Sequence, residues 1–377
     1  MFIKIPDNGI THKVTILGLG HTTGKEPGFK KDVSNEDFIR YVLSNKAREE
    51  LFGHQWPYTD KEIKETAKEW EEKTGVGSRT LFYGETWRMG YFAAVACLEH
   101  AGVNIGEIDG IISGTNTPGD PRLENPRDQG FPSPADFIKN ELALSESVCG
   151  GKSDAFCVNM QEACTTAAPA IFLAYGAIRA GLCKKILLVF TENCMLLTHP
   201  DKWKEGSNLF GAGASAILLS ASEDTESFLF FELTCDPYGE NLSAICCDVN
   251  DANNFTQRGK DVLNYVAGTM PRNLKDAFAR VGIDPEQLAF LIPHQPSGRL
   301  IKKFKENIKA RWPEFKGKVT EERGVGNISC ASTIMMLSKL VHDGTIKTNI
   351  IATLAPFGAG LSGGIIGIKI PLFKRSN

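Results

Sequence analysis

Cys164 is the residue whose setting most clearly indicates chemistry. Residues 155–160 predict a buried strand and residues 165–180 predict a helix rich in small side chains, so Cys164 lies at their junction. The positive end of a helix dipole stabilises a thiolate and lowers the thiol pKa, and the backbone N–H groups there can bind an oxyanion. Considered alone, however, this residue is better explained as a small buried structural cysteine.

His294 and Asn327 stand in comparable places in the second half of the chain. His294 follows a predicted strand at residues 288–292, at the carboxyl end where α/β proteins usually form their sites. Asn327 lies between Gly326 and a predicted helix start, where Asn also serves as a plain N-cap. Each residue has an ordinary structural explanation alone. All three, however, share one arrangement, in which a polar residue begins a helix after a strand or a glycine turn.

The remaining cysteines do not indicate disulfides or a metal site. The chain has ten cysteines, and no two of them have the spacing of a zinc-binding CxxC pair. Cys97 and Cys183 lie inside apolar runs, where a free cysteine behaves as a small hydrophobe. We therefore expect no bound metal.

An internal repeat predicts how the polar residues come together. FGAGAS at residues 210–215 matches FGAGLS at residues 357–362, and each follows an apolar strand and, before it, a long apolar helix ending in glycine. Cys164 precedes the glycine that ends the first helix by 17 residues, and Asn327 precedes the second glycine by the same number. Matching order and spacing indicate a duplication. Two halves related by a pseudo-twofold axis would bring Cys164 and Asn327 to one shared centre.

The whole chain is predicted to have a layered α/β fold. Its 377 residues exceed one ordinary domain, and strands alternate with helices along most of the sequence. We place a boundary near residue 225, which gives an N-terminal half, 1–225, with the cysteine and a C-terminal half, 226–377, with the histidine and asparagine. Residues 116–134 and 198–208 look like surface insertions, whose role the sequence does not define.

Composition and charge exclude several classes of function. The formal net charge of −3 argues against a nucleic-acid-binding protein, which would normally show a basic excess. The first 13 residues lack the charged and apolar parts of a signal peptide, and no apolar run approaches 18 residues. We therefore expect a cytoplasmic chain that does not interact with membranes.

Taken together, the motifs resemble those of β-ketoacyl-acyl-carrier-protein synthase III and its relatives in the thiolase superfamily. Glu162-Ala-Cys164 is similar to the family's nucleophile motif, His294-Gln295 to its histidine motif, and Gly326-Asn327-Ile-Ser329 to its asparagine motif. Phe357-Gly-Ala-Gly360 resembles the C-terminal glycine loop that helps to form an oxyanion hole. The resemblance extends over nearly the whole chain and implies a thiolase-like duplicated αβαβα layered fold.

The resemblance implies an acyltransferase that works in two steps. Cys164 would take an acyl group from an acyl thioester, while the N–H groups of Cys164 and Ala359 hold the oxyanion. His294 and Asn327 would then stabilise the enolate formed when a malonyl thioester loses carbon dioxide. The β-ketoacyl product would belong to fatty-acid or specialised, polyketide-type biosynthesis. No cofactor would be bound, since coenzyme A or acyl-carrier-protein thioesters are the substrates.

The resemblance also implies substrate-binding residues and partners. Trp70 resembles the tryptophan that stacks on the adenine of coenzyme A, although it lies one residue closer to the following Thr-Gly. Arg299 resembles an arginine five residues after the histidine, and Gly358 belongs to the glycine loop. Residues 299–311 contain six Lys or Arg and one acidic residue, which predicts a basic face for an acidic acyl carrier protein. A solvated helix face explains each single lysine equally well. A homodimer is implied as well.

Departures from the family pattern leave two other functions open. Thr165-Thr166 stands where the family has a small residue and then glycine, and Ala212 replaces an acidic residue. One alternative is an acyltransferase that moves the acyl group to an oxygen or nitrogen nucleophile without condensation, with His294 as general base. The other is a non-catalytic partner subunit of a condensing enzyme, but such subunits typically lose the nucleophile. A thiolase would need a cysteine in the C-terminal glycine loop, and a hydroxymethylglutaryl-type synthase a glutamate base that the sequence does not reveal. The acyl donor, the extender and the pathway also stay undefined.

Overall fold

Two mixed β-sheets, with helices between and outside them and two small two-stranded sheets beside them, form the part of the chain that the structure describes. The structure is a computed structural model, and it describes residues 1–4, 12–43, 59–118, 132–148, 151–194, 207–248 and 251–373. Most of the two predicted insertions therefore lies outside the described residues. Among the described residues, no helix combines the length and apolar character needed to cross a bilayer.

The described strands and helices alternate along the chain as predicted. The strands are β1 (Phe2–Lys4), β2 (Lys13–His21), β3 (Phe29–Ser34), β4 (Ser78–Phe82), β5 (Gly110–Gly114), β6 (Phe156–Met160), β7 (Lys185–Asn193), β8 (Ala212–Ser222), β9 (Phe228–Cys235), β10 (Ile245–Asp248), β11 (Asp251–Gln257), β12 (Leu288–Pro293), β13 (Lys318–Val319), β14 (Ile351–Ala355), β15 (Phe357–Gly358) and β16 (Ser362–Lys369). The α-helices are α1 (Asn35–Leu43), α2 (Asp60–Thr74), α3 (Thr86–Ala101), α4 (Pro134–Leu144), α5 (Ala167–Arg179), α6 (Gly259–Asn264), α7 (Met270–Val281), α8 (Gly298–Arg311) and α9 (Ser332–His342).

The two sheets repeat one topology. The first has the order β2-β8-β7-β5-β6, and the second contains β9-β16-β14-β12-β13 with β1 added at its edge and β15 paired with β16. Strand directions also match. In the first sheet β7 runs antiparallel to β8 and parallel to β5, and in the second sheet β14 runs antiparallel to β16 and parallel to β12. Helix α5 directly precedes β7, and helix α9 directly precedes β14 in the same way. The predicted duplication is therefore confirmed.

Five layers of structure stack across the molecule. Helices α5 and α9 contribute small and apolar residues to one core that also contains side chains from both sheets. On the outer side of the first sheet, α3 and α4 form a second core, and α7 and α8 form a third on the outer side of the second sheet. Helix, sheet, helix, sheet and helix thus follow one another, which is how each sheet buries both of its faces.

The central helix α5 lies unusually close to the second sheet. A Cβ atom added at Gly364 of β16 would come 2.4 Å from the Cβ atom of Ala168. Small residues on α5 and on β16 therefore allow this close approach. It places the first turn of α5 against β16 of the second sheet. The start of α5 is also where Cys164 lies.

Two features differ from the sequence prediction or refine it. Residues 155–160 were expected to form a buried strand, but β6 is the last strand of its sheet, and Phe156 and Val158 are 42% and 43% exposed. In the sequence, the apolar residues of an edge strand form the same pattern as those of a buried strand. The expected boundary at residue 225 falls between β8 and β9, yet β1 pairs with β9, so the first residues of the chain join the second sheet.

Candidate active site

Cys164 lies in a tight turn between β6 and α5. The preceding residue, Ala163, has a left-handed backbone with φ of 46°, which is uncommon for a residue other than glycine. Thr165 closes the turn, because its N–H and its hydroxyl both donate to the carbonyl oxygen of Glu162, at 3.1 and 2.6 Å. The helix begins at Ala167, two residues later than predicted. The cysteine therefore precedes the first helical turn.

The thiol of Cys164 is neutral in the resting protein. Burial raises its pKa to about 12, while a hydrogen bond from Ser329, whose Oγ lies 3.4 Å from the sulfur, acts in the opposite direction. The expectation that the helix dipole lowers this pKa is therefore wrong for the resting state. Removing water from around the sulfur, together with the nearby Glu192 carboxylate, raises the thiol pKa by more than the hydrogen bonds to the sulfur lower it.

His294 follows the last residue of β12, and its environment keeps the imidazole neutral. Its backbone N–H donates to the carbonyl oxygen of Ala355 at 3.1 Å, which ties it to the end of β14. The ring is almost completely enclosed and contacts Phe357 edge to face. Burial lowers the pKa of His294 to about 3, so the ring can act as a base or as a neutral hydrogen-bond donor. The next helix begins four residues later, at Gly298.

The hydroxyl of Ser332 determines which nitrogen of His294 carries the proton. Its Oγ lies 2.7 Å from His294 Nδ1 and 3.0 Å from the carbonyl oxygen of Ser329. A serine has one hydrogen to donate, so it serves these two acceptors one at a time. When it donates to the carbonyl, Nδ1 is the protonated nitrogen and Nε2 is a base. When it donates to Nδ1, Nε2 is protonated and becomes a donor.

Asn327 is held by the glycine loop of the other half. Its N–H donates to the carbonyl oxygen of Leu209 at 2.8 Å, and its carbonyl oxygen accepts from the N–H of Gly211 at 3.0 Å. Gly211 is needed there, because an added Cβ atom would come 1.9 Å from the carbonyl oxygen of Val325. The side-chain Oδ1 accepts from the Ser329 N–H at 2.8 Å, as in a helix cap, which leaves Nδ2 as the side chain's donor group.

Cys164, His294 and Asn327 line one cavity of about 810 Å³. Much of the remaining wall is apolar and comes from β10, α6 and the single π-helical turn that follows α6, with Ile245, Val262, Leu263, Tyr265 and Val266. Basic side chains of α8 stand at the mouth. The cavity can thus accept an apolar chain inside and negatively charged groups at its entrance.

The glycine loop after β14 closes the cavity against the cysteine. A Cβ atom added at Gly358 would come 2.9 Å from the Cβ atom of Cys164 and 3.0 Å from its backbone nitrogen. Only a glycine therefore fits this position without displacing the nucleophile. Ala359 follows directly, and its carbonyl oxygen accepts a hydrogen bond from Ser362 Oγ at 2.6 Å.

The predicted coenzyme A residues differ in their accessibility. Trp70 is 3% exposed and packs in a small core with Phe38, so its indole ring is not available to stack on an adenine. It faces inward because it follows Ile63 and Ala67 on the buried side of α2. Arg299, in contrast, is exposed at the cavity mouth, with Nη1 3.5 Å from the carbonyl oxygen of Lys73.

Sequence reasoning missed a buried carboxylate behind the cavity. Glu192, at the end of β7, is fully buried and accepts hydrogen bonds from the backbone and side chain of Asn116. The available signal was an acidic residue at the end of a continuous apolar strand. Among the described residues, no cluster of His, Cys, Asp and Glu is arranged to hold a metal ion.

Comparison with known proteins agrees with the architecture. Models of the 3-oxoacyl-[acyl-carrier-protein] synthase III family match residues 158–237 and, for the C-terminal part of that family, residues 278–370. FabH of Pseudomonas aeruginosa superposes with a TM-score of 0.72 at 21% identity, covering 96% of this chain and all of that one. OleA of Xanthomonas campestris, solved with lauric acid and lauroyl-CoA, superposes with a TM-score of 0.70 at 18% identity over 95% of this chain and 99% of that one.

The fold is therefore the duplicated αβαβα fold of the thiolase superfamily, as predicted. The β-ketoacyl-[acyl-carrier-protein] synthase III of Xanthomonas campestris is 31% identical over 315 residues, which cover 80% of this chain and 90% of that protein. The corresponding protein of Listeria welshimeri is 28% identical over 308 residues, covering 81% and 91%. This chain belongs to the β-ketoacyl-acyl-carrier-protein synthase III family and is a condensing acyltransferase.

Proposed function

We propose that this protein holds an acyl group on Cys164 and condenses it decarboxylatively with a malonyl thioester to give a β-ketoacyl product. The observation that most supports this assignment is the meeting of Cys164, His294 and Asn327 on one cavity. The three side chains come from different loops, and both halves of the duplicated fold contribute. The reaction needs separate groups for its two oxyanions, and this cavity offers two sets of donors.

In the first half-reaction, Cys164 attacks the carbonyl carbon of an acyl thioester. Its thiol must lose a proton as the new C–S bond forms, because burial raises the pKa of this group. Because the pKa of His294 is about 3, the proton does not rest on the ring: it passes through Nε2 to the departing thiolate as the C–S bonds form and break, while Ser332 donates to the Ser329 carbonyl. The N–H groups of Cys164 and Ala359 hold the oxyanion, and losing one such donor typically costs about 2.7–4 kcal/mol.

In the second half-reaction, a malonyl thioester binds with its carbonyl oxygen near His294 and Asn327. Ser332 now donates to His294 Nδ1, so that Nε2–H and Asn327 Nδ2–H both donate to the substrate oxygen. Carbon dioxide leaves, and the electrons of the broken C–C bond form the enolate that these donors stabilise. The enolate carbon attacks acyl-Cys164, and the cysteine sulfur leaves as a thiolate that regains a proton.

The cavity mouth supports coenzyme A or acyl-carrier-protein thioesters as the donors. Arg299 and Lys302 stand at the entrance, where phosphate groups would lie if the thioester arm reached the cysteine. Two other lysines of the basic face are paired within the chain, Lys303 with Glu306 at 2.9 Å and Lys305 with Glu321 at 2.6 Å. The attraction for an acidic carrier is therefore weaker than the number of lysines predicts.

The exposed strand β6 supports a homodimer. Among the described strands, none pairs with its outer edge, and Phe156 and Val158 expose their side chains there. An exposed apolar edge strand favours pairing with another chain. We expect Val158→Lys to shift the protein from dimer to monomer in sedimentation velocity, while Lys152→Glu, a charge change outside the strand, leaves the dimer intact. A wild-type monomer at micromolar concentration would rule this assembly out.

Intact-mass measurement with a panel of acyl-CoA thioesters tests the first half-reaction. We expect one acyl adduct, absent in Cys164→Ala and present in Cys235→Ala, which removes an exposed cysteine as a control. An adduct that persists without Cys164 would refute the assignment. Complete absence of acylation across the panel would favour the non-catalytic subunit instead.

Adding a malonyl thioester to the acylated protein tests the second half-reaction. We expect carbon dioxide release and a product with a new C–C bond. His294→Ala should keep some self-acylation and lose decarboxylation. If acyl-Cys164 forms but transfers only to oxygen or nitrogen nucleophiles, the protein is an acyltransferase without condensing activity.

A further inference from the structure

Two strained turns meet at the sulfur of Cys164. Ala163, immediately before the cysteine, has φ of 46°, and Ser329, on the loop that follows Asn327, has φ of 44°. Both are left-handed conformations that side-chain-bearing residues rarely adopt, and such strain persists only where the surrounding structure imposes it. The Ser329 hydroxyl oxygen lies 3.4 Å from Cys164 Sγ. One strained residue directly precedes Cys164 and the other is Ser329 itself. Both strained positions therefore lie at the hydrogen bond between Ser329 and Cys164.

One amide group ties both turns together. Asn116 Nδ2 lies 3.1 Å from the carbonyl oxygen of Ala163, 3.2 Å from Ser329 Oγ and 2.5 Å from Glu192 Oε1. Two of these neighbours are acceptor oxygens, which fixes the orientation of the amide. Asn116 Nδ2 donates one of its two hydrogens to Glu192 Oε1, the nearest acceptor. The carbonyl oxygen of Ala163 and the hydroxyl oxygen of Ser329 share the other hydrogen. The Asn116 side chain thus spans the gap between the two halves of the fold.

Glu192 anchors this amide. Its Oε2 accepts from the Asn116 N–H at 3.1 Å and from Thr117 Oγ1 at 2.9 Å, and its Oε1 also accepts from Cys330 Sγ at 3.0 Å. Thr117 itself accepts from the Asn193 N–H, so its own hydrogen is available to donate. Every partner of the carboxylate is a donor, and no side-chain surface of Glu192 reaches solvent. This carboxylate is therefore a rigid acceptor that fixes Asn116.

The direction of the Ser329 hydrogen follows from this arrangement. An amide nitrogen has no lone pair to offer, so Ser329 Oγ can only accept from Asn116. Its single hydrogen is therefore available for Cys164 Sγ, its other hydrogen-bond partner among the residues that the structure describes. A hydrogen bond from a hydroxyl strengthens when its acceptor becomes charged, so it favours a thiolate over a thiol.

We propose that Ser329 is a catalytic residue that stabilises the Cys164 thiolate, and that Asn116 and Glu192 are positioning residues that aim its hydroxyl at the sulfur. The inference rests on the proposed function only in taking Cys164 as the nucleophile. The thiolate appears twice in the cycle, when the sulfur attacks the thioester and when it leaves the condensed product. One fixed donor thus serves both half-reactions.

The pH dependence of Cys164 alkylation tests the proposal. Iodoacetamide labelling of the Cys164 peptide would be followed by mass spectrometry from pH 6 to pH 11 in wild type, Ser329→Ala and Ser329→Gly. A hydrogen bond to a charged group corresponds to about one to two pKa units, so we expect alkylation at a fixed pH to fall about 10- to 100-fold in both variants. Glycine tolerates the left-handed backbone, so Ser329→Gly removes the hydroxyl without adding strain. Profiles that coincide with wild type in both variants would overturn the proposal.

A double-mutant cycle tests the positioning residues. Asn116→Ala should slow alkylation in the same direction, and adding it to Ser329→Gly should produce little further change, because Asn116 acts through the hydroxyl. Fully additive effects would show that Asn116 does not position Ser329. Ser338→Ala provides a matched control, since it removes a buried serine hydroxyl on α9 away from the cavity. It should leave the Cys164 profile unchanged, and thermal melting reports any loss of stability separately.

Because alkylation needs no substrate, the result is independent of the condensation assay. A shifted Cys164 profile together with a failure to decarboxylate malonyl thioesters would disprove the proposed condensation and support the role of Ser329. An unshifted Cys164 profile together with active condensation would support the proposed condensation and disprove the role of Ser329.

Discussion

At the residue scale, the site keeps its two ionisable groups uncharged until substrate arrives. Burial raises the pKa of Cys164 and lowers that of His294, so the resting protein has no thiolate–imidazolium pair. A neutral histidine suits the decarboxylation step, in which the ring must donate a hydrogen bond without giving up its proton. Ser332 makes both tautomers of that ring accessible, because its hydroxyl can turn between two acceptors.

The pH dependence of decarboxylation should reveal the neutral histidine. His294 has a pKa of about 3 where an ordinary histidine has 6.5, so the neutral ring persists as the pH falls from 7 to 5. We expect the rate of malonyl thioester decarboxylation by the acyl-enzyme to vary less than about twofold over this range, provided that the protein stays folded. Stopped-flow measurement of carbon dioxide release checks this. An acidic limb with a midpoint near 6.5 that disappears in His294→Asn would contradict it.

At the element scale, glycines and alanines decide how closely the layers approach. Gly211 lets the first glycine loop reach the loop before α9, and Gly358 lets the second loop reach Cys164. The backbone of the first loop holds Asn327 through two hydrogen bonds. Each glycine loop thus supports a site residue that belongs to the other half of the repeat.

The contact between β16 and α5 should be sensitive to a single methyl group. Gly364→Ala would place a Cβ atom 2.4 Å from that of Ala168, so we expect a loss of about 1–3 kcal/mol in the free energy of unfolding. Urea denaturation measures it. A Cβ atom added at Gly176 of α5 meets no atom within 4 Å, so Gly176→Ala should be neutral or stabilising.

A compensating variant separates this packing from other causes. Ala168→Gly removes the methyl group that the new side chain would strike, so the double variant should recover part of the lost stability. Equal instability of Gly364→Ala with and without Ala168→Gly would contradict close packing as the reason.

At the scale of the whole molecule, a group of histidines joins the two halves. His21 at the end of β2 contacts Ser338 of α9 at 2.9 Å, and His342 of α9 lies against His100 of α3, with ring centres 4.5 Å apart. Burial lowers the pKa of His21 to about 4, and it lowers that of His100 as well. The neutral rings therefore contribute to the packing of α9 against the first half.

Acid should destabilise the protein through His21. A lowered pKa in the folded state means that its contribution is complete above pH 6.5 and is lost as the pH falls from 6.5 towards 4. The difference corresponds to about 3 kcal/mol at most. We expect His21→Asn to lose less stability than wild type between pH 7 and pH 4.5 in urea denaturation. His12→Asn, outside this group of histidines, should follow wild type, and equal acid sensitivity of His21→Asn and wild type would exclude this role for His21.

The sequence by itself determined the duplication, the order of helices and strands, and the three polar residues at 164, 294 and 327 that line one cavity, although the helices after them begin later than predicted. Periodic apolar segments and a repeated glycine motif are local signals, and spacing is preserved when a unit is duplicated. The motifs around these residues were also sufficient to indicate the family.

Only the tertiary structure decided burial, and burial determines the state of the site. It placed Trp70 inside a core, left Phe156 exposed on an edge strand and made both Cys164 and His294 neutral. It also brought Asn116, Glu192 and Ser329 together from positions far apart in the chain. These properties depend on which segments exclude water from one another, and residue type and spacing along the chain do not report that.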